Sequence, residues 1–197
     1  MTKIGFVRHG VTQWNKEGRA QGRSDVPLDG EGLKQARSLA ERPEVGEWDV
    51  VYSSDLLRAK QTAEILTDNL GIQLYLDSRL RERGGGLIEG TTEEERVRKW
   101  GPEWRELDVG FEPHDSIITR GISFIEEISA KHHDRNVLVV SHGAFIKHLL
   151  KALMPDLEMD ESLKNTSLTC LVKCESGWDC DLYNWTEHLI KDGSIQM

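Results

Sequence analysis

The sequence predicts an α/β fold in three layers: a mostly parallel, mixed central sheet with helices on both faces. Three observations predict it. Short apolar runs alternate with stretches whose apolar residues recur at three-and-four spacing. Ile4-Gly5-Phe6-Val7 and Val137-Leu138-Val139-Val140 are unbroken apolar runs, the pattern of strands covered on both faces. Two late runs joined by a short polar turn read as an antiparallel hairpin, which makes the sheet mixed.

The elements follow in order. Residues 3–8 form the first strand, and the turn Leu28-Asp29-Gly30 opens a helix over 31–41. Asp49–Ser53 is a second strand. The stretch 55–69 carries Leu56, Ala59, Ala63, Leu66 and Leu70 along one helical stripe, and Gly71 ends it. Gln73–Leu76 is a third strand. Residues 116–131 place Ile117, Ile118, Ile122, Ile125 and Ile128 on one helical face. A strand over 137–141 and a helix from about 144 to 153 follow, with Pro155 as terminator. Residues 167–174 and 179–185 make the hairpin around Glu175-Ser176-Gly177. Strand–helix alternation implies right-handed crossovers. Between the third and fourth strands, residues 83–113 break the alternation. Thr92 and Glu95 resemble a capping box, Val97, Trp100, Trp104 and Leu107 share a face, and Gly101-Pro102 interrupts the helix. This insertion is expected to project above the sheet as a lid or substrate wall on one domain spanning 1–197.

Composition narrows the function classes. At 197 residues, with 38% hydrophobic and 30% charged residues, the chain fits an ordinary globular domain. No apolar run approaches the roughly 20 residues of a membrane helix. The N-terminus enters a strand at once without a signal-peptide layout, so the expected location is cytoplasmic. A net charge of −9 without a basic stripe argues against nucleic acid or an anionic membrane as partner. Cys170, Cys174 and Cys180 read as reduced thiols, and no four-ligand zinc spacing is visible. Neither a metal nor a cofactor is expected.

The chemistry gathers at the strand ends. Open α/β sheets bind ligands at the carboxyl ends of their strands. Arg8-His9-Gly10 follows the first strand, and Ser141-His142-Gly143 follows the fourth. Arg58 lies in the first turn of the helix after the second strand, where backbone amides favour anions. Glu82 follows the third strand and would serve as proton donor. Two imidazoles, two guanidinium groups and a carboxylate on one rim suit a phosphomonoester, whose near-dianionic phosphoryl group matches guanidinium forks.

These motifs resemble the signature of the histidine phosphatase superfamily, the phosphoglycerate-mutase-like proteins, in its short bacterial-type phosphatase branch. Arg8-His9-Gly10 stands with Thr12 and Asn15 behind it. Gly18-Arg19-Ala20-Gln21-Gly22, Pro27-Leu28, Ser53 through Thr62, Leu80-Arg81-Glu82, Glu89-Gly90 and Val140-Ser141-His142-Gly143 follow in order. The resemblance implies a phosphoglycerate-mutase-like fold and a metal-independent phosphohydrolase acting on a small phosphorylated metabolite, with inorganic phosphate as product. It implies His9 as the nucleophile that becomes phosphohistidine. Arg8, Arg58 and His142 would hold phosphoryl oxygens, and Glu82 would act as acid and then base. Asn15, Gln21 and Gly22 match positions lining the phosphate pocket. Two rivals stand beside hydrolysis: phosphoglycerate-mutase-type transfer, and a weakly active phosphate-binding regulatory protein.

Two stretches depart from the family pattern. Arg83-Gly84-Gly85-Gly86-Leu87-Ile88 replaces a bulkier segment and predicts a looser loop beside Glu82. His114-Asp115-Ser116 stands where Gly-Glu-Ser is usual, so Asp115 is expected to take over the carboxylate and His114 to add a histidine near the pocket. Trp14 is open between pocket wall and core. His132 and His133 are expected to be solvated or facing a helix dipole, and His148 and His188 have no partner legible in the sequence.

Overall fold

The computed structural model describes residues 2–42, 47–159, 161–175 and 177–190. Its elements run β1 (Lys3–Arg8), α1 (Gln13–Lys16), α2 (Gly30–Ala40), β2 (Val50–Ser53), α3 (Leu57–Leu70), β3 (Leu74–Leu76), α4 (Glu93–Trp100), α5 (His114–Lys131), β4 (Asn136–Ser141), α6 (Gly143–Leu153), β5 (Leu168–Cys174), β6 (Gly177–Trp185) and α7 (Glu187–Ile190). The six strands form one sheet in the order β3-β2-β4-β1-β5-β6. β3, β2, β4 and β1 pair in parallel, and β5 is antiparallel to both β1 and β6. The sheet is mixed for the reason the sequence suggested: the late hairpin adds antiparallel strands to a parallel set.

Period-two alternation sends successive strand residues into separate cores. Ile4, Phe6, Val50, Tyr52, Val137 and Val139 pack with Ile117, Phe124, Ile128, Phe145 and Leu149 of α5 and α6. Val7, Val51, Leu138 and Val140 pack on the other face with Leu39, Ala59, Ala63 and Leu66 of α2 and α3. Helices therefore cover both faces.

Local signals set the helix ends. Asp29 Oδ1 caps α2 by accepting from the Glu31 and Gly32 amides, and Gly71 closes α3 in the left-handed region. The Thr92–Glu95 capping box forms as expected, but α4 stops at Trp100, and a 3₁₀ turn at Trp104–Glu106 replaces its continuation. Gly101 at φ +86° breaks it. Residues of the 83–113 segment build a small core of Ile88, Trp104 and Val109, joined by Ala20, Trp100 and Phe111. Arg19 clamps that core to the loop after α1, bonding Gly90 O at 2.7 Å and both Glu95 carboxylate oxygens at 2.7 and 3.0 Å. The short α1 and α7 carry too little periodicity to be read from sequence. Ser176 of the expected hairpin turn lies outside the described residues. No described helix is long and apolar enough to cross a membrane.

Candidate active site

Register places the two histidines side by side. Arg8 of β1 faces Ser141 of β4 in the parallel ladder, so His9 and His142 leave neighbouring strands at the same level. Their ring centroids are 5.2 Å apart, and both are buried.

Hydrogen-bond partners assign the proton on each ring. His9 Nδ1 lies 2.7 Å from Gly10 O, a carbonyl that only accepts, so Nδ1 carries the hydrogen. His9 Nε2 accepts from Arg58 Nε at 3.3 Å and presents its lone pair. Ser54 Oγ accepts from the Leu56 amide at 3.3 Å and lies 2.8 Å from His142 Nε2. His142 Nε2 is the one acceptor that the Ser54 hydroxyl meets among the described residues, and with that hydrogen donated to Nε2 the ring's own N–H falls on Nδ1. Burial pushes both imidazole pKa values well below the ordinary 6.5, and the Arg58 and Arg8 charges push the same way. Both rings are neutral near pH 7.

Arg58 is fully buried on α3. It donates through Nη1 to Ser24 O and through Nη2 to Gly22 O, each at 2.8 Å. Burial lowers its pKa to about 10, with the Glu82 carboxylate opposing, so it keeps its charge at pH 7. Gly22 itself sits at φ +49°, and a Cβ there would lie 2.0 Å from Glu89 Oε1. Only glycine turns this loop so that its carbonyl meets Arg58. Arg8 donates through Nη1 to Leu163 O. Its Nε is buried without a partner among the described residues, as are His142 Nδ1 and Gln21 Oε1. The first two are donors beside the His9 lone pair, ready for an anion's oxygens.

Glu82 caps α6. Its Oε1 accepts from the Phe145 and Arg83 amides at 2.8 and 2.9 Å, and its Oε2 accepts from the Ala144 amide at 3.2 Å. Asn15 joins through a chain of contacts: its Oδ1 takes the Thr12 amide at 3.1 Å and Asn165 Nδ2 at 3.4 Å, while that same Nδ2 donates to His9 O at 2.9 Å. The structure thus brings His9, His142, Arg8, Arg58 and Glu82 within reach of one another, with the Gly22 carbonyl on Arg58 and Asn15 linked through Asn165 to the His9 backbone.

Several supporting residues escaped the sequence reading. Thr62 Oγ1 accepts the Gly10 amide at 3.0 Å, and Ser54 sets the His142 tautomer; both sit inside a quoted motif that gives them no role on its own. Asn165 gave no signal. Arg120 donates to the carbonyls of Arg79, Arg81 and Glu82 at 2.5, 2.6 and 3.3 Å, fixing the backbone that carries the carboxylate. It forms a fork with Glu112 at 2.9 and 3.0 Å; against the upward push of burial, that fork and the Gly84 amide, which donates to Glu112 Oε2, hold the Glu112 pKa down at about 2.

Two expectations are corrected here. Asp115 does not replace the family carboxylate, because its side chain is fully exposed; Glu112, three residues earlier, occupies the interior. The triple-glycine loop is pinned rather than loose. The amides of Gly84, Gly85 and Leu87 donate to Glu112 Oε2, Glu89 Oε1 and Val109 O at 3.1, 2.8 and 2.8 Å. Gly86 has φ +56°, and a Cβ would lie 2.1 Å from Val109 O. Gly86→Ala is therefore expected to cost about 2–3 kcal/mol through backbone strain and overpacking. That loss corresponds to a fall of roughly 4–12 °C in the thermal midpoint. An unchanged midpoint would show that the loop relaxes freely.

Of the remaining histidines, His133 is solvated as expected, whereas His132, His114, His148 and His188 find partners. His132 Nε2 meets Tyr52 OH at 2.9 Å, while His133 is exposed beside Asp134. His188 is buried with Nε2 2.9 Å from Thr166 Oγ1, and His114 and His148 stack edge to face at 4.6 Å. Trp14 is half-buried, its ring lying over Gly90 rather than within the sheet core.

A three-layer fold whose strand ends gather cationic and neutral donors about a neutral imidazole defines an α/β phosphatase. The chain belongs to the histidine phosphatase superfamily (branch 1), whose profile matches residues 4–186. It is 32% identical over 192 residues to the uncharacterized phosphatase PhoE of Bacillus subtilis, covering 96% of this chain and 97% of that one. It is 34% identical to the probable phosphoglycerate mutase GpmB of an Enterobacter species, covering 90% of this chain and 88% of the other. Among solved structures, a mycobacterial glucosyl-3-phosphoglycerate phosphatase in complex with VO3 superposes with a TM-score of 0.82 at 30% identity, covering 92% and 98% of the two chains.

Proposed function

We propose that this phosphatase hydrolyses a small phosphomonoester through a phosphohistidine on His9. The carrying observation is the Nε2 lone pair of a neutral His9, set by the Nδ1–Gly10 bond and faced by the Arg58 guanidinium. In the first half-reaction His9 Nε2 bonds phosphorus as the ester P–O bond breaks. Arg8 Nε, His142 Nδ1 and the N–H groups of Arg58 bind the equatorial oxygens. Asn15 and the Gln21-Gly22 turn complete the pocket wall. Glu82 delivers a proton to the leaving oxygen from Oε2, the oxygen with only one amide donor. In the second half, Glu82 takes a proton from water, which attacks phosphorus and releases inorganic phosphate and a neutral His9. The 83–113 segment, clamped by Arg19, walls the pocket within a single domain. The free Cys170, Cys174 and Cys180 fit a cytoplasmic setting.

Side chains supply the positive charge in this account, so phosphate release from phenyl phosphate is expected to persist in excess chelator. Loss of activity in chelator that returns with a divalent cation would overturn it. The pH dependence follows from the direction of the His9 shift. A lowered imidazole pKa keeps Nε2 unprotonated as pH falls through 6.5. The acid limb of kcat/KM, corrected for ionisation of the ester, is expected below pH 6.5, and a limb at or above that value contradicts the assignment. Mutase-type transfer is the second reading, favoured by the GpmB similarity. It predicts interconversion of monophosphoglycerates faster than phosphate release.

A further inference from the structure

A second cavity, of about 350 Å³, opens beside Glu82. Ala144, Lys147, His148 and Lys151 line it at i, i+3, i+4 and i+7 along one face of α6. His114 closes it from the start of α5, its ring edge to face with His148 at 4.6 Å, and Leu157 and Met159 form an apolar wall. Ala144 ties the cavity to the chemistry, because its amide donates to Glu82 Oε2 at 3.2 Å.

The cavity is cationic. No acidic side chain among the described residues lines it. Lys151 is tethered to Pro155 O, and exposed His114 has only a 4.0 Å approach to Asp115. Lys147 makes no ion pair or side-chain hydrogen bond among the described residues. His148 is held neutral by burial and by the charges around it, so it offers a hydrogen bond rather than a charge.

We propose that this cavity is the leaving-group subsite and that it takes a carboxylate carried on a short, partly apolar body. The proposal rests on the roles given above to His9 and Glu82. A leaving oxygen protonated at Glu82 Oε2 stands at the Ala144 edge, and the remainder of the alcohol runs along α6 toward Lys147 and His148. Point donors from lysine and histidine suit a carboxylate. A second phosphate would call for a guanidinium fork, and no arginine among the described residues lines the cavity; Arg83, whose charge reaches His148, is turned to the Glu112 carbonyl and the Phe111 ring. Leu157 and Met159 cover the connecting carbons.

The test compares phenyl phosphate, 3- and 4-carboxyphenyl phosphate and 1,4-phenylene bisphosphate. Lys147→Gln is expected to lower kcat/KM for the better carboxyphenyl ester about tenfold while changing phenyl phosphate by less than about twofold. His148→Gln is expected to act in the same direction. If its thermal midpoint drops, the exposed Lys147 alone carries the test. Equal losses on charged and uncharged esters overturn the proposal, as does a stronger preference for the bisphosphate.

Binding separates the subsite from the chemistry. Calorimetry on His9→Ala protein is expected to show about tenfold tighter binding of the carboxyphenyl ester than of phenyl phosphate, a preference lost in the Lys147→Gln background. If wild-type protein hydrolyses neither ester yet this preference is present, the catalytic reading fails and the subsite stands. If hydrolysis proceeds and the preference is absent, the subsite falls and the catalytic reading stands.

Discussion

His9→Ala is expected to reduce phosphate release by about 10⁴-fold or more, because it removes the atom that bonds phosphorus. Arg8, Arg58 and His142 would still bind the ester, so affinity should survive where turnover does not. The variant should fold. His9 lies at the end of β1, whose ladders to β4 and β5 are backbone bonds that the substitution leaves intact. It does leave Arg58 Nε without its acceptor in a fully buried place, a cost of about 1–3 kcal/mol. A thermal melt alongside the assay distinguishes lost chemistry from lost structure. A folded His9→Ala protein with near-wild-type turnover would remove the nucleophile assignment.

Glu82→Gln has the next largest expected effect, about 10²- to 10⁴-fold on alkyl phosphates, whose leaving oxygen needs a proton. The loss should shrink sharply on nitrophenyl phosphate, whose phenolate departs unaided. That split is the useful readout. A merely structural Glu82, holding the N-terminus of α6 through the Ala144 and Phe145 amides, would lower both substrates alike. The amide of glutamine keeps an acceptor for Phe145 N and Arg83 N, so the helix cap persists in part. Equal losses on the two leaving groups would reassign Glu82 to positioning.

The fold was legible wherever a residue's fate depends on its near neighbours. Apolar periodicity gave the strands and long helices, and Asp29, Gly71 and the Thr92–Glu95 pair set ends that the structure reproduces. Of the site, the residues at strand ends were legible because topology alone brings the ends of β1 and β4 together. What sequence withholds is the pairing of distant residues. Ser54 and His142 are 88 positions apart, and Asn165 reaches back 156 positions to His9 O. Nothing local marks either contact. Glu112 and Asp115 show the limit sharply: both are carboxylates near the motif, and only packing decides that Glu112 meets Arg120 while Asp115 meets solvent. The triple glycine misleads for a similar reason. Glycine permits mobility, but at Gly86 it permits close approach to the Val109 carbonyl, and the result is a fixed loop.

The central claim is a covalent phosphoryl group on His9 Nε2. Rapid mixing with a phosphomonoester, quenching in alkali to preserve phosphohistidine, and peptide mass spectrometry would locate it most directly. One phosphoryl group per chain is expected on the peptide containing Arg8-His9-Gly10, acid-labile and absent from His9→Ala. Steady turnover with no phosphoryl group at His9 on the timescale of the reaction, or with the label on another residue, would contradict it.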